Sequence, residues 1–545
     1  MKILFFSPFS FISNHSFPEA AEIKLLIKKN HEVVRLTCDR TYLNNCVSMK
    51  STNLKFSASL LEKNKICDLC EVNARSIEKI KGLKTYYSSK FISKDQIDLI
   101  ESHLRNINYQ NFDFELQFQG INLNYVSLYD FILKYKLSGL SDISEERFPE
   151  FKNELRNSLI SYRIGKNFLD FFKSDKLIIY SPQYSINHAF LKGYDHKKLD
   201  VYLTEGSNNV HYKHSILRLW NWKIHKLVDP SKVEWTNYNP TKLPHEAFSM
   251  VEKHFKSLIK SKSPHVYSTP KKNKYYKLPF ELNKFKKTAL LTMSSADESY
   301  AAFMIGAFPP SKVKSTVFKD QIEWITQTIN FFKKYPEYLL IIRIHPREAP
   351  NKREKVISSR MNKLNEIFKL DNLPNNVKIN WPQENVSFYN LIDKVDVLIS
   401  KSSITIIEAL YFDKPVVIYD NKLTNYPDDL VYSGKTRQDY FNNLIKSLKN
   451  RHLNLKNKAI LWTAFSHYLS GLHLKKSFVH GKIMTMIKKI LYKLKVIRLI
   501  RLFNHFELKH TNLEESSEER LDELIKKKYS SLLDSRLTFN EKLKD

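Results

Sequence analysis

An imidazole flanked by two guanidiniums is the most reactive-looking group in the chain: the run LLIIRIHPREAP carries Arg343, His345, Pro346 and Arg347 where an apolar stretch stops. A histidine at a buried strand end, fixed by the proline after it, can hydrogen-bond a nucleotide phosphate; protonated, it would neutralise a leaving diphosphate oxygen. Strand alternation puts Arg343 and His345 on one side and leaves Arg347 beyond the proline. A second cluster, Ser400-Lys401-Ser402-Ser403, stands directly before a helical pattern that starts near Ile404. Ser402 and Ser403 can cap that helix and still offer hydroxyls and N–H groups to an anion. Glu408 on the same helix is expected to reach a sugar or ribose hydroxyl while the helix start holds phosphate. Glu205-Gly206 closes another apolar run. Glu205 is the candidate general base for an acceptor hydroxyl, with Asp297 and Glu298 as alternatives on the donor side, and Gly206, one of only 10 glycines, lets a backbone come close. Ser294-Ser295, after ALLTM, forms a further polar loop of phosphate-facing type. Plainer roles compete with each: a core histidine, a simple cap, a solvated or core-paired carboxylate.

Parallel strands joined by helices would position such groups, because the loops at carboxyl strand ends then gather on one side. The apolar runs Leu339–Ile344, Val395–Ile399 and Pro415–Tyr419 each end at a polar or turn-forming cluster, with helical spacing between them. KILFFSPFS, the helix opened by Pro18 and HEVVRLTCD form a comparable strand–helix–strand start. The sequence divides into an amino-terminal Rossmann-like acceptor domain over 1–228 with a helical insertion or flanking helical layer at about 90–174, a proline- and lysine-rich linker over 229–285, a second Rossmann-like domain over 286–460 and a helical extension over 461–545. At 545 residues the chain is too long for one core, and with 42% hydrophobic residues it can fill two. No GxGxxG or Walker sequence occurs, which speaks against classical dinucleotide enzymes and phosphate-loop NTPases. No aspartate-x-aspartate pair sits at a strand end, which disfavours a metal-dependent single-domain transferase.

The formal charge of +31, from 88 basic and 57 acidic residues, suggests an anionic partner or a lysine-rich compositional bias. The charge excess has a clear address only at 482–503, KIMTMIKKILYKLKVIRLIRLF, which holds no acid and aligns Ile483, Ile487, Ile490, Leu494 and Ile497 on one helical face. Such a helix either lies on anionic lipid or packs across the domains with its lysines outward. The aromatics show no RNA-binding sheet signature, so nucleic acid is disfavoured as partner. The opening MKILFFSPFSF is broken by Pro8, Asn14 and His15 and reads as no secretory leader, and no run reaches the roughly 18 apolar residues of a membrane span. The expected location is therefore the cytoplasm, peripheral on the inner face of the membrane. Cys38, Cys46, Cys67 and Cys70 crowd one region, with Cys67-Asp-Leu-Cys70 at metal-ligand spacing. A structural zinc, ordinary buried thiols and a redox or iron–sulfur role all remain open readings.

The order of Glu205-Gly206 at a strand end, then His345-Pro346, then Ser402-Ser403 before a helix bearing Glu408 resembles the bacterial capsule-polysaccharide synthesis glycosyltransferases, with VDVLISKSSITIIEALYFDKPVVIYD as the most specific stretch. The same set is similar to the bacterial sialyltransferases, which share the GT-B fold of two Rossmann-like domains facing across a cleft. The resemblance covers residues 176–210 and 288–420, and the amino-terminal strand–helix–strand loosely. It implies metal-independent transfer of a sugar from a nucleotide-sugar donor, held through phosphate by His345-Pro346 and Ser402-Ser403, to a surface-polysaccharide glycan or lipid-linked glycan, with Glu205 as base. Thr204 stands where sialyltransferases carry a second acid, and the cysteines and basic carboxyl helix lie outside the shared pattern. CDP-polyol phosphotransferases of teichoic-acid type also resemble the Arg-x-His-Pro and Ser-Ser set, although the second histidine they carry in a Gly-rich loop has no counterpart in this sequence. Outside enzymes, a basic lipid- or nucleic-acid-binding protein on the same scaffold is the remaining reading.

Overall fold

The computed structural model describes residues 1–194, 199–237, 243–263, 266–273, 276–310, 314–351, 355–369, 373–420, 422–450, 454–475, 482–494 and 496–534. Its strands, in chain order, are β1 (Lys2–Phe6), β2 (Glu32–Thr37), β3 (Lys84–Tyr87), β4 (Lys176–Tyr180), β5 (Asp200–Gly206), β6 (Ile216–Asn221), β7 (Lys287–Thr292), β8 (Tyr338–Arg343), β9 (Val377–Asn380), β10 (Val397–Ser400), β11 (Val416–Ile418) and β12 (Gly471–His473). They form two sheets, ordered β12-β6-β5-β4-β1-β2-β3 and β11-β10-β7-β8-β9.

The second sheet is parallel throughout. In the first, β5, β4, β1, β2 and β3 are parallel, β6 runs against β5, and β12 runs against β6. Near-continuous apolar runs such as YLLIIR and VLIS are what strands covered by helices on both faces require. Each sheet is doubly wound. The chain leaves β1 toward β2 and β3 and comes back with β4 on the other side, as it leaves β7 toward β8 and β9 and comes back with β10. The crevices between β1 and β4 and between β7 and β10 are the topological switch points, where ligands bind in open α/β sheets. This is the expected plan of two Rossmann-like domains, the GT-B plan.

Helices Lys94–Arg105, Asn124–Tyr135 and Phe148–Phe171 bury Ile100, Leu104, Leu128, Phe131, Leu155, Leu159 and Ile164 against Leu4, Phe6, Leu177 and Ile179, so of the two readings of this stretch, insertion or flanking layer, it is a layer on a face of the first sheet. The elements around the sheets differ from the expectations in three places. The stretch expected as a linker contains helix His245–Ile259, whose Ala247, Val251, Phe255 and Leu258 enter the second core beside Leu290 and Leu398. The carboxyl extension is not wholly helical: β12 extends the first sheet, and helix Glu515–Lys527 lays Leu521, Leu524 and Ile525 beside Ile3 and Phe5. The basic stretch expected as one helix is described as two, Lys482–Leu494 and Ile497–His510.

The domains also meet directly. Ala301, Ala302 and Ile305, in and just after the second domain's helix Ala296–Met304, share one apolar cluster with Leu128, Phe131 and Ile132 of the first. Below that seam the 1% exposed Lys136 donates to the carbonyls of Ala349 at 3.0 Å and Val356 at 2.5 Å.

Candidate functional site

A cavity of about 120 Å³ opens at the carboxyl ends of β7, β8 and β10. Arg343, His345 and Pro346 line it from β8, Thr292 and Met293 from β7, and Ser403, Thr405 and Glu408 from beyond β10. Tyr389 and Phe388 close the side toward helix Phe388–Lys394, and Tyr267 and Ser268 supply another wall. Val210, from the loop that follows β5 in the first domain, completes it. That loop is tied down by the Val210 N–H, which donates to Nδ1 of His254 at 3.1 Å.

His345 owes its orientation to the turn after it. Its Nδ1 accepts the Arg347 N–H at 3.2 Å and so caps the one-turn helix Pro346–Glu348. With Nδ1 an acceptor, the ring proton resides on Nε2. Burial, helped by the Arg347 and Arg343 charges, lowers the imidazole pKa to about 3. Of the two roles open to it, the structure favours the neutral hydrogen-bond donor over the cation. Positive charge comes instead from Arg343. Burial lowers its pKa only to about 10, and one nitrogen donates to Asn380 Oδ1 and to the Val386 carbonyl at 2.9 Å.

The serine cluster delivers hydroxyls across the switch point. Ser403 Oγ accepts the Thr405 N–H at 3.3 Å, while Thr292 Oγ1 lies 3.0 Å from Thr405 Oγ1 and 3.2 Å from Ser400 Oγ. The helix behind them, Thr405–Tyr411, has only 7 residues, so hydroxyls rather than a long helix axis would meet an anion here. Glu408 is 5% exposed; burial raises its pKa to about 8, against a hydrogen bond with Tyr389 and the charge of Arg343. At neutral pH this carboxyl favours its protonated form, able both to donate and to accept toward a ribose or sugar hydroxyl.

Four of the expected donor contacts lie apart from the cavity. Arg347 is buried in an ion pair with Asp297 and donates to Leu133 O at 3.1 Å, so it holds the two domains together. Ser294 exchanges backbone hydrogen bonds with the Gln321 side chain at 2.9 and 3.2 Å, and Ser295 Oγ bonds Asp297. Ser402 is half-buried and does not line the cavity. Thr292, Thr405, Tyr267, Ser268 and Tyr389 line it without any local sequence signal.

Glu205 ends β5 half-buried, 3.5 Å from Arg218, which is itself paired with Asp229 at 2.6 Å. Burial raises the Glu205 pKa, against Arg218 and Lys213 and with a contribution from Asp229, which moves the carboxyl toward the range useful for a base. Gly206 makes a close approach, but to its own hairpin loop: a Cβ there would stand 2.6 Å from the Lys213 carbonyl. The Gly206 N–H donates to Tyr180 Oη at 3.2 Å, and the His15 ring stacks on Tyr180 with centroids 4.1 Å apart. His15 and Tyr180 thus join Glu205 at the first switch point; neither was singled out in the sequence.

All four cysteines line one small cavity with Tyr42 and Arg40, and Cys70 Sγ accepts the Phe11 N–H at 3.3 Å. Burial raises the thiol pKa of Cys67 and Cys70 to about 12 and pushes those of Cys38 and Cys46 upward as well. Among the described residues no three His, Cys, Asp or Glu side chains are grouped so as to hold a metal ion. The four thiols share one neighbourhood.

No protein-family model and no curated protein matches the sequence. Solved structures do show likeness. The beta Kdo 2,4 transferase KpsC of Thermosulfurimonas dismutans is 14% identical, with 60% of this chain and 87% of that one covered at a TM-score of 0.31. The UDP-GlcNAc 2-epimerase of Methanocaldococcus jannaschii, solved with UDP-GlcNAc and UDP, is 13% identical over 84% of this chain and 98% of that one, at 0.29. Its counterpart from Neisseria meningitidis, bound to UDP-GlcNAc, is 10% identical over 97% and 100%, at 0.25. At such identities the strand order, not the likeness, carries the argument for the fold.

Proposed function

We propose that the chain is a glycosyltransferase that moves a sugar from a nucleotide-sugar donor to a surface-polysaccharide acceptor, glycan or lipid-linked glycan, at the cytoplasmic face of the membrane. One observation carries this reading. Arg343, His345, Ser403 and Glu408, which come from two distant stretches, line the same cavity at the switch point of the second sheet. A cation, a neutral donor and a hydroxyl suit a donor phosphate, and a protonated carboxyl suits a ribose or sugar hydroxyl.

In this mechanism the donor phosphate lies against His345 Nε2, Ser403 and Arg343. The acceptor hydroxyl enters from the first domain, beside Glu205, His15 and Tyr180. Glu205 takes the hydroxyl proton as the acceptor oxygen bonds to the anomeric carbon. The bond from that carbon to the phosphate oxygen breaks, and the nucleotide leaves with the electron pair, its new charge met by Arg343 and the His345 hydrogen bond. Closure at the seam brings the two switch points together and excludes water.

The test is donor profiling with radiolabelled CMP-, UDP-, GDP- and CDP-linked compounds, followed by Glu205→Gln in the pair that works. Glu205→Gln is expected to abolish transfer and leave the nucleotide Kd unchanged; full transfer by this variant removes Glu205 as base. Transfer from CDP-glycerol or CDP-ribitol alone would replace glycosyl transfer by polyol-phosphate transfer.

A further inference from the structure

Helices Lys482–Leu494 and Ile497–His510 fasten one side to the first domain. Leu491, Tyr492, Ile497 and Ile500 pack with Leu69 and Val72 of helix Leu60–Glu78. Tyr492 Oη and Asn504 Nδ2 donate to Asn73 Oδ1 at 2.6 and 2.8 Å, and Asn73 donates to the Ser10 carbonyl at 2.9 Å. Ser10 lies in the loop that leaves β1 at the first switch point, so the pair is anchored beside the proposed acceptor entrance. Glu507, the single acid in this stretch, is turned inward and paired with Lys488 at 2.6 Å.

The opposite side is unlike a solvated surface. Met486, Ile490 and Leu494 recur at intervals of four, and Leu499, Leu502 and Phe506 at three and four, all of them exposed; Leu494 and Leu502 reach 65% and 62%. Arg498, Arg501 and His505 keep step one position earlier and are exposed too, as are Lys493 and Lys509. Large apolar side chains standing in water next to cations, with no exposed acid, mark an interaction surface. Charge chooses the occupant. A second copy docked face to face would set these arginines against their own counterparts, at a cost, whereas phosphate headgroups would neutralise them while acyl chains receive the apolar stripes. No described helix is long and apolar enough to cross a membrane, which leaves contact in the plane of the interface.

We propose that the outer face of these two helices docks on an anionic phospholipid bilayer, with Met486, Ile490, Leu494, Leu499, Leu502 and Phe506 inserted among the headgroups and Arg498 and Arg501 on lipid phosphate. This rests on the surface alone and does not depend on the donor site. The test is sedimentation of the full chain with vesicles of phosphatidylcholine alone and of equimolar phosphatidylcholine and phosphatidylglycerol. Binding to the anionic vesicles is expected, falling with salt, and weaker by tenfold or more on the neutral ones. Leu494→Ser with Leu502→Ser should weaken partition by roughly a hundredfold. Arg498→Gln with Arg501→Gln should weaken it by roughly tenfold or more and flatten the salt dependence. All four side chains are exposed, so thermal unfolding should stay at its parent value in both variants. Failure to bind anionic vesicles, or full binding by the leucine variant, overturns the proposal. So does a dimer in light scattering that the leucine variant dissociates, since it would make a second copy the occupant.

Discussion

His345 gives the sharpest test of the donor site, because its two ring nitrogens do different jobs. Nδ1 caps the turn at Arg347, and Nε2 is left as the donor to the cavity. His345→Asn separates them: asparagine can accept the same backbone N–H and keep the cap, but its short side chain removes the donor. A hydrogen bond to a charged phosphate is worth about 1.5–3 kcal/mol, so the variant should bind the preferred nucleotide roughly 10- to 150-fold more weakly. His345→Ala should bind equally poorly and also lose stability, by about 0.5–1.5 kcal/mol, through the vacated cap. The assay is isothermal titration of parent and variants with free nucleotide. Because burial lowers the imidazole pKa to about 3, the ratio of parent to His345→Asn affinity should stay flat from about pH 5 to 8. A ratio near one removes His345 from the donor site. A ratio that climbs as pH falls through about 6.5 would show a working imidazolium and refute the neutral-donor argument.

Glu408 predicts a second pH effect with a definite sign. Its folded pKa, raised by burial to about 8, exceeds the unfolded value of 4.5, so the folded state binds more protons in between and stability falls as pH rises through that window. The unfolding temperature of Glu408→Gln minus that of the parent should therefore become more positive from about pH 5 to 8, and a constant gap contradicts the assignment. For the interdomain pair, Arg347→Met alone strands the buried Asp297 carboxylate and should cost about 3–5 kcal/mol in denaturant unfolding. Adding Asp297→Asn should recover most of that loss, and equal losses in single and double variants would show that the pair is not coupled. Thiols held near pKa 12 predict slow reaction with Ellman's reagent at about pH 8 in the native protein, and reaction of all four cysteines once it is unfolded.

What was readable in the sequence follows from how local each cause is. His345 and Ser403 stand where apolar strands stop, and strand ends in a doubly wound sheet gather by topology alone, so a strand-and-stop pattern sufficed to bring them together. Arg347 belongs to the same motif, yet its partner Asp297 lies on another element and pulls it toward the seam; nothing local distinguishes a phosphate ligand from half of a buried ion pair. Thr292 and Tyr389 reach the cavity only through the packing of separate elements. His15 and Tyr180 were accessible in principle, since the switch-point rule that drew attention to β7 and β10 applies equally to β1 and β4. Helix His245–Ile259 also had a signal, the apolar spacing of Ala247, Val251, Phe255 and Leu258, masked by flanking prolines and lysines. By contrast β12 has 3 residues and no periodicity to read; the edge of β6 makes it a strand.

That return of the chain to the first domain gives the fold a functional logic. Helix Glu515–Lys527 and β12 are built into the first core, so the segment between them is fixed at both ends to the first domain, the proposed acceptor side. The two amphipathic helices lie in that segment, and Asn73 links them to the loop that leaves β1. A surface that holds the first domain to a bilayer would leave the second attached through the chain crossing that follows β6, the return crossing between Phe465 and β12, and the helix seam where Arg347 meets Leu133. Donor exchange then requires movement only of the second domain, while the acceptor entrance stays at the lipid surface. On this arrangement anionic vesicles should lower the apparent KM for a lipid-linked acceptor and leave the KM for the nucleotide sugar unchanged. An equal change in both would place the docking face on the donor side and break the link drawn here between the carboxyl-terminal helices and the first switch point.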